Sequence, residues 1–203
     1  MADNKITAAD KKNVSVSDWF HKGWDLFSAD MGTFIVMGLI YLVIVVVTSS
    51  SLVGEFLFLG PLQVGIFLAL FNKMRGQSIR IGDIGQGFTY FVAAVLSSIL
   101  ITVFSFVGFL LCIIPGIIVI ALYMFTPAFI ADQNLDFWSA MEASRKTISK
   151  YLLELVLLTL VLLAVNLVGV LALGIGLIFT VPLSFAMIAV AFDDIVGIQR
   201  ESK

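Results

Sequence analysis

The sequence predicts an all-α membrane protein: six transmembrane helices built as three repeated hairpins, each preceded by a cytoplasmic interfacial amphipathic helix. Three observations carry this. Of 203 residues, 60% are hydrophobic and only 13% charged, against roughly 25% charged in a soluble domain, and the mean hydropathy is +1.08. Six apolar runs, at about 33–53, 56–73, 91–113, 115–131, 151–172 and 175–194, approach or reach the ~20 residues that cross a bilayer. They are apolar throughout, without the alternation of barrel strands. Finally, all twelve lysines and arginines fall on one side of the six-span arrangement.

Residues 1–14 are polar and read as a solvent-facing disordered tail, not a signal peptide, which needs an apolar stretch after its basic start. Residues 15–203 read as a single polytopic domain. Ser15 and Asp18 have the spacing of a capping box. Trp19, Phe20, Trp24 and Phe27 follow, with Phe20, Trp24 and Phe27 spaced to share a helical face, which suits a helix lying among lipid headgroups. The first span then runs to a turn at 48–55. The second contains Gly60-Pro61, which is compatible with a kink or with a late helix start. A basic loop, 72–82, leads to a second aromatic approach, 83–91. The third span carries Ser98, Thr102 and Ser105 at one face, read as a packing seam. Ile114-Pro115-Gly116 predicts a tight turn into the fourth span. The loop 131–150 holds a third approach helix, with Asn134 or Asp136 as its cap or Ser139–Glu142 as a capping box.

The repeat is visible in the spans that return to the basic side. Pro61–Gly76 and Pro182–Gly197 align without gaps, and a looser copy begins at Pro115; Phe71, Phe125 and Phe192 each lie ten residues after the proline. The interval from Gly23 to Pro61 equals that from Ser144 to Pro182, 38 residues, while Gly87 to Pro115 spans 28. Fixed spacing of this kind is what duplication leaves. The copies run parallel, so three hairpins form a pseudo-threefold bundle, unlike inverted-repeat transporters.

Basic residues of short loops stay cytoplasmic. The tail and first approach carry Lys5, Lys11, Lys12 and Lys22; the next loop Lys73, Arg75 and Arg80; the third Arg145, Lys146 and Lys150; the end Arg200 and Lys203. Both termini are therefore expected in the cytoplasm. Lys22, Lys73, Arg75, Arg80, Arg145, Lys146 and Lys150 are the candidate contacts for anionic lipid headgroups.

Few groups suggest chemistry. Glu154, one turn inside the fifth span, is an intramembrane carboxylate, although Lys150 at i−4 or water at the surface accounts for it. Asn166 and Gln63 complete a candidate intramembrane polar site, with Thr126 a similar case; each is as readily a bond to a neighbouring helix. Asp193-Asp194 ends the last span facing water. His21 is the sole histidine and Cys112 the sole cysteine, so no intramolecular disulfide, cysteine-based metal cluster, histidine metal site or Asp–His catalytic pair near the membrane core can be assembled. Cys112 reads as a small packing residue. Nucleotide-binding, metalloprotease and hydrolase motifs are absent from the sequence. No cofactor, metal or nucleic-acid partner is expected.

The stretch IPGIIVIALYMFTPAFIADQNLDFWSAMEASRKTISKY resembles a broad group of uncharacterised bacterial six-span membrane proteins, including the membrane domain attached to some glycerophosphodiester phosphodiesterases. The resemblance rests on Pro115, Gly116, Asp132, Ala140 or Met141, and Ser144, together with the loop from Arg75-Gly76 to Gly87-Phe88. It implies a multipass protein of the bacterial inner membrane and carries over no catalytic residue. The expected role is non-catalytic: a lipid-interacting scaffold or an accessory subunit of a membrane complex, binding lipids and a protein partner or a second copy. The rival is a small transporter or channel with a polar path near Glu154 and Asn166. A third reading is an enzyme acting on lipid headgroups through loop carboxylates.

Overall fold

The structure, a computed structural model, describes residues 15–50 and 52–200. The polar tail at 1–14, with Lys5, Lys11 and Lys12, and Lys203 lie outside the described residues. Within them the chain is helical: α1 (Val16–Ser28), α2 (Met31–Thr48), α3 (Leu52–Met74), a 3-10 helix (Ile81–Tyr90), α4 (Phe91–Leu111), α5 (Ile113–Tyr123), α6 (Thr126–Gln133), α7 (Phe137–Ile148), α8 (Leu152–Leu171) and α9 (Leu177–Ile195). Six stretches are long and apolar enough to cross a membrane, the 3-10 helix running on into α4 and α5 into α6. This is a multipass membrane protein by the length and composition of its helices.

Several local expectations are corrected. Ser15 occupies the N-cap of α1, but its side chain makes no capping bond. The buried face of α1 is Trp19, Gly23 and Phe27, a stripe spaced four apart; Phe20 and Trp24 point outward, at 36% and 47% exposure. The first span stops at Thr48, whose hydroxyl bonds back to the Ile44 carbonyl, a helix-ending habit of Ser and Thr. Pro61 and Pro182 both lie inside continuous helices, so neither starts one. The turn before the fourth span is a single extended residue, Cys112, with Pro115 already in the first turn of α5, where its missing N–H costs little. Cys112 is exposed rather than packed. Thr102 is also exposed, so the hydroxyl stripe on α4 is no continuous seam; the residues that α4 buries include Ser97 and Gly108.

The core is built around α3 and α9, the two spans with a proline inside an unbroken helix. About half of each is buried, 56% for α3 and 50% for α9, against 22% for α2, so α3 and α9 are central and α2 flanks them. Val46, Val47, Phe106, Leu110, Leu111 and Leu171 are among the large side chains left outward; in a bilayer such a surface meets acyl chains and needs no cover. At the centre, the Phe192 ring meets Phe71 (5.4 Å), Phe125 (5.5 Å) and Phe129 (4.9 Å). Left-handed backbone ends the helices five residues after Phe71, Phe192 and Phe129, at Gly76 (φ 77°), Gly197 (φ 83°) and Asn134 (φ 52°). By that mark Phe129, rather than Phe125, stands where Phe71 and Phe192 stand.

The three short approach helices lie against the spans. α1 packs on α9, the 3-10 helix on α3, and α7 on α5 and α6. Each crossing is made close by a small residue. A Cβ on Gly23 would lie 2.7 Å from Met187 Cγ. A Cβ on Gly87 would overlap the Pro61 carbonyl, and one on Gly65 the Ile84 carbonyl. Ser144 is fully buried and donates to the Leu122 carbonyl at 2.8 Å.

Candidate functional site

Two polar regions are built by this fold. One is at the end where the basic segments meet. After Gly76 turns the chain away from α3, the preceding Arg75 reaches sideways. Its Nη2 pairs with Asp132 at the end of α6, and its Nε donates to the Gln199 carbonyl at 2.8 Å. Asp132 in turn accepts the Gln199 N–H at 3.1 Å. The Asp132 side chain is 0% exposed and Arg75 20%, so this clamp joins three segments largely away from solvent. A buried carboxylate is tolerated only when paired and hydrogen-bonded, and here both conditions are met.

Around the clamp, Lys73 pairs with Asp30 at 3.1 Å. The Asp30 carboxyl is held below its ordinary value chiefly by the Thr33 hydroxyl, with Lys73 adding to it. Trp19 Nε1 donates to Asp194 at 3.1 Å, and Asp193 accepts from the Ile198 N–H and Arg200. Asp193-Asp194 is therefore tied into the fold rather than merely solvated. Lys22 and Arg200 flank an open cleft of about 570 Å³ beside these two carboxylates. On α7, Asp136 is the true cap, accepting from the N–H groups of Trp138 and Ser139. Asn134 instead ends α6, and Ser139 donates to Asp136 rather than capping. Glu142 takes a bidentate pair from Arg145 and an ion pair from Lys146 at 3.3 Å.

Of the seven basic residues expected at headgroups, Lys73, Arg75, Arg145 and Lys146 thus have carboxylate partners, while Lys22, Arg80 and Lys150 are exposed. The hydrogen bond from Arg145 to Glu142, ahead of that from Lys146, holds the Glu142 carboxyl down from 4.5 to about 2. A depressed carboxyl contributes stability above its unfolded value and loses it as pH falls through the folded one. The last turns of α7 should therefore stay protected near pH 5 and loosen between about 4.5 and 2, as read by amide exchange at Ser144–Ile148. Loss of protection already above that window would contradict it.

The second polar region is inside the spans. Asn166 Nδ2 donates to Ser184 Oγ (2.7 Å) and to the Leu162 carbonyl (2.8 Å), and its Oδ1 accepts from Thr180 (3.1 Å). It stitches α8 to α9. Gln63 donates to the Tyr41 hydroxyl at 3.1 Å, joining α3 to α2. Glu154 is half-buried in the first turn of α8, about 18 Å along the axis from Asn166 at 1.5 Å per residue. Glu154 and Asn166 are thus kept apart along α8, and Gln63 bonds Tyr41 rather than either of them.

Sequence reading did not anticipate the break in the fourth span between Tyr123 and Thr126. Pro127, near the start of α6, cannot donate to the carbonyl four residues back. In an unbroken helix Thr126 would bond the Leu122 carbonyl; here Ser144 supplies that donor. The Thr126 hydroxyl is fully buried and has no partner among the described residues. Opposite effects follow. Ser144→Ala strands a buried carbonyl and should cost about 1–3 kcal/mol, while Thr126→Val removes an unpaired hydroxyl and should be neutral or stabilising by about 1 kcal/mol. Reversible unfolding in mixed micelles measures both, and a destabilised Thr126→Val chain would refute this account of the break.

Among the described residues no group of three or more His, Cys, Asp or Glu is disposed to hold a metal. Compared with known proteins, the chain matches no family model, no curated protein and no solved structure.

Proposed function

We propose that this chain is a non-catalytic integral protein of the bacterial inner membrane, acting as a lipid-interacting scaffold or as an accessory subunit of a membrane complex. One observation carries the reading. The polar side chains within the spans are used to join helices, Asn166 to α9 and Gln63 to α2, rather than converging on one path with Glu154. A transporter of the kind outlined from the sequence would need them to converge.

The exposed Lys22, Arg80 and Lys150 are the basic groups best placed for anionic headgroups. Arg75 and Arg145 act first as structural braces. The hairpins derive from one repeated unit. What supports this is the equivalent use of Gly23, Gly87 and Ser144, each wedged against the returning span of another hairpin, α9, α3 and α5 in turn. Both termini are cytoplasmic in this reading, which is supported by ion pairs that bring described basic residues together at one end of the bundle, Lys73–Asp30, Arg75–Asp132 and Arg200–Asp193.

Mild extraction of the tagged chain, followed by mass spectrometry of what stays bound, tests the role. A stoichiometric protein partner or tightly retained lipid is expected. A Glu154→Gln chain that abolished a transport phenotype would overturn the scaffold reading. Orientation is tested by single cysteines at Ser50, Asp83, Asn134 and Ser202 in a Cys112→Ser background; only position 50 should label from outside. Ser202 lies beyond the described residues and serves only as a tail reporter.

A further inference from the structure

A cavity of about 200 Å³ lies where the fourth span is broken. Ile120 and Tyr123 border it from α5, Pro127 from α6, Ile101 from α4, Phe185 from α9 and Gln63 from α3. None of the residues lining it carries a charge. A discontinuous transmembrane helix lining a cavity is a common way to build a site at membrane depth.

The chemistry of the walls narrows the ligand. An ion would be buried without a counter-charge, at a large desolvation cost. The polar groups among the lining side chains are the Tyr123 hydroxyl and the Gln63 amide, and a purely apolar molecule would leave the amide unused. One of its N–H groups goes to Tyr41 at 3.1 Å, and neither its second N–H nor its carbonyl oxygen has a partner among the described residues. Tyr41 fixes the amide, and is itself held edge-on against Phe185 at 5.5 Å. Phe185 stands nearly perpendicular to Phe67, at 87° and 5.7 Å between centroids, so ring edges and faces already line the space. As for size, an apolar protein cavity of about 150 Å³ admits benzene. One of about 200 Å³ admits a ring with one substituent. Tyr123 also borders a smaller crevice with Phe104, Trp138 and Glu142, and so stands between the cavity and the polar end of the bundle.

We infer that this cavity is a binding site for a neutral hydroxylated aromatic ring, with the ring against Phe67, Ile101 and Phe185 and the hydroxyl on the Gln63 amide. The site is independent of the scaffold role and would be present whether or not a protein partner binds elsewhere.

Fluorine NMR of the full chain in nanodiscs of zwitterionic lipid tests it, with 4-fluorophenol as the probe and fluorobenzene as its partner lacking the hydroxyl. Saturable binding of 4-fluorophenol is expected, tighter than that of fluorobenzene. Gln63→Leu should weaken 4-fluorophenol by about five- to tenfold, the worth of one hydrogen bond, and leave fluorobenzene unchanged. Ile101→Phe should fill the space and abolish saturable binding of both. If that bulkier variant fails to fold, the near-isosteric Gln63→Leu chain decides alone. Uptake that never saturates, or that is equal for both probes and unchanged by Gln63→Leu, overturns the assignment.

Discussion

An Arg75→Ala chain is expected to lose about 3–5 kcal/mol of stability, the usual cost of leaving one partner of a buried ion pair uncompensated. The carboxylate left behind is that of Asp132, whose side chain has no exposure. The substitution also removes the bond to the Gln199 carbonyl and the guanidinium lying 6.0 Å from the Phe71 ring centre. Equilibrium unfolding in mixed micelles should show it, and the double variant Arg75→Ala/Asp132→Ala should recover much of the loss, because the stranded charge is gone. Lys73→Ala is the contrast. Its pair with Asp30 is more open, at 25% and 30% exposure, and pairs of that kind contribute about 0–1 kcal/mol. Equal losses for Arg75→Ala and Lys73→Ala would mean that burial does not set the strength of the clamp.

Gly87→Ala should be nearly as damaging, by about 3 kcal/mol or more, at the upper end of what overpacking costs. The added methyl would sit inside the Pro61 carbonyl and against the backbone of Gly65. Backbone cannot swing aside as a flexible side chain can, so the 3-10 helix must lift off α3. Gly65→Ala meets the Ile84 carbonyl from the other side and should fail in the same way. Gly82→Ala and Gly85→Ala, in the same 3-10 helix, meet nothing within 4 Å and should stay within about 1 kcal/mol of the parent. A uniform response across the four glycines would remove the close crossing from the explanation of this fold.

The spans were legible because a twenty-residue apolar run has few other fates. The approach helices were legible as segments but not in their facing. Aromatic spacing placed Phe20, Trp24 and Phe27 together, whereas the neighbour on α9 selected the stripe Trp19, Gly23 and Phe27. A helix period tells which residues share a side, and only the partner tells which side is covered. Pro127 was the available signal for the broken span, yet a proline near a span end reads equally as a helix start. Ser144, the residue that completes the break, entered the sequence reading as a marker of repeat spacing and through a resemblance, not as a donor to another helix. The pairing of Arg75 with Asp132 joins positions 57 residues apart, and no local pattern encodes such a distance. The same limit applied to Glu154 and Asn166, which composition marked as a group and the rise of α8 keeps apart.

The contact between α1 and α9 has a consequence for how the chain is made. Trp19 reaches Asp194 across 175 residues, so α1 docks on a helix that is synthesised much later than itself. Until α9 is in place, the buried face of α1 lacks its main support, with Phe27 against Phe34 of α2 but Trp19 and Gly23 without Asp194 and Met187. The spans that precede α9 can insert as they are synthesised, but this contact closes only once α9 has followed them. Chains that stop short of α9 should therefore be inserted yet unsealed, and should be recognised by quality-control proteases as unfinished products.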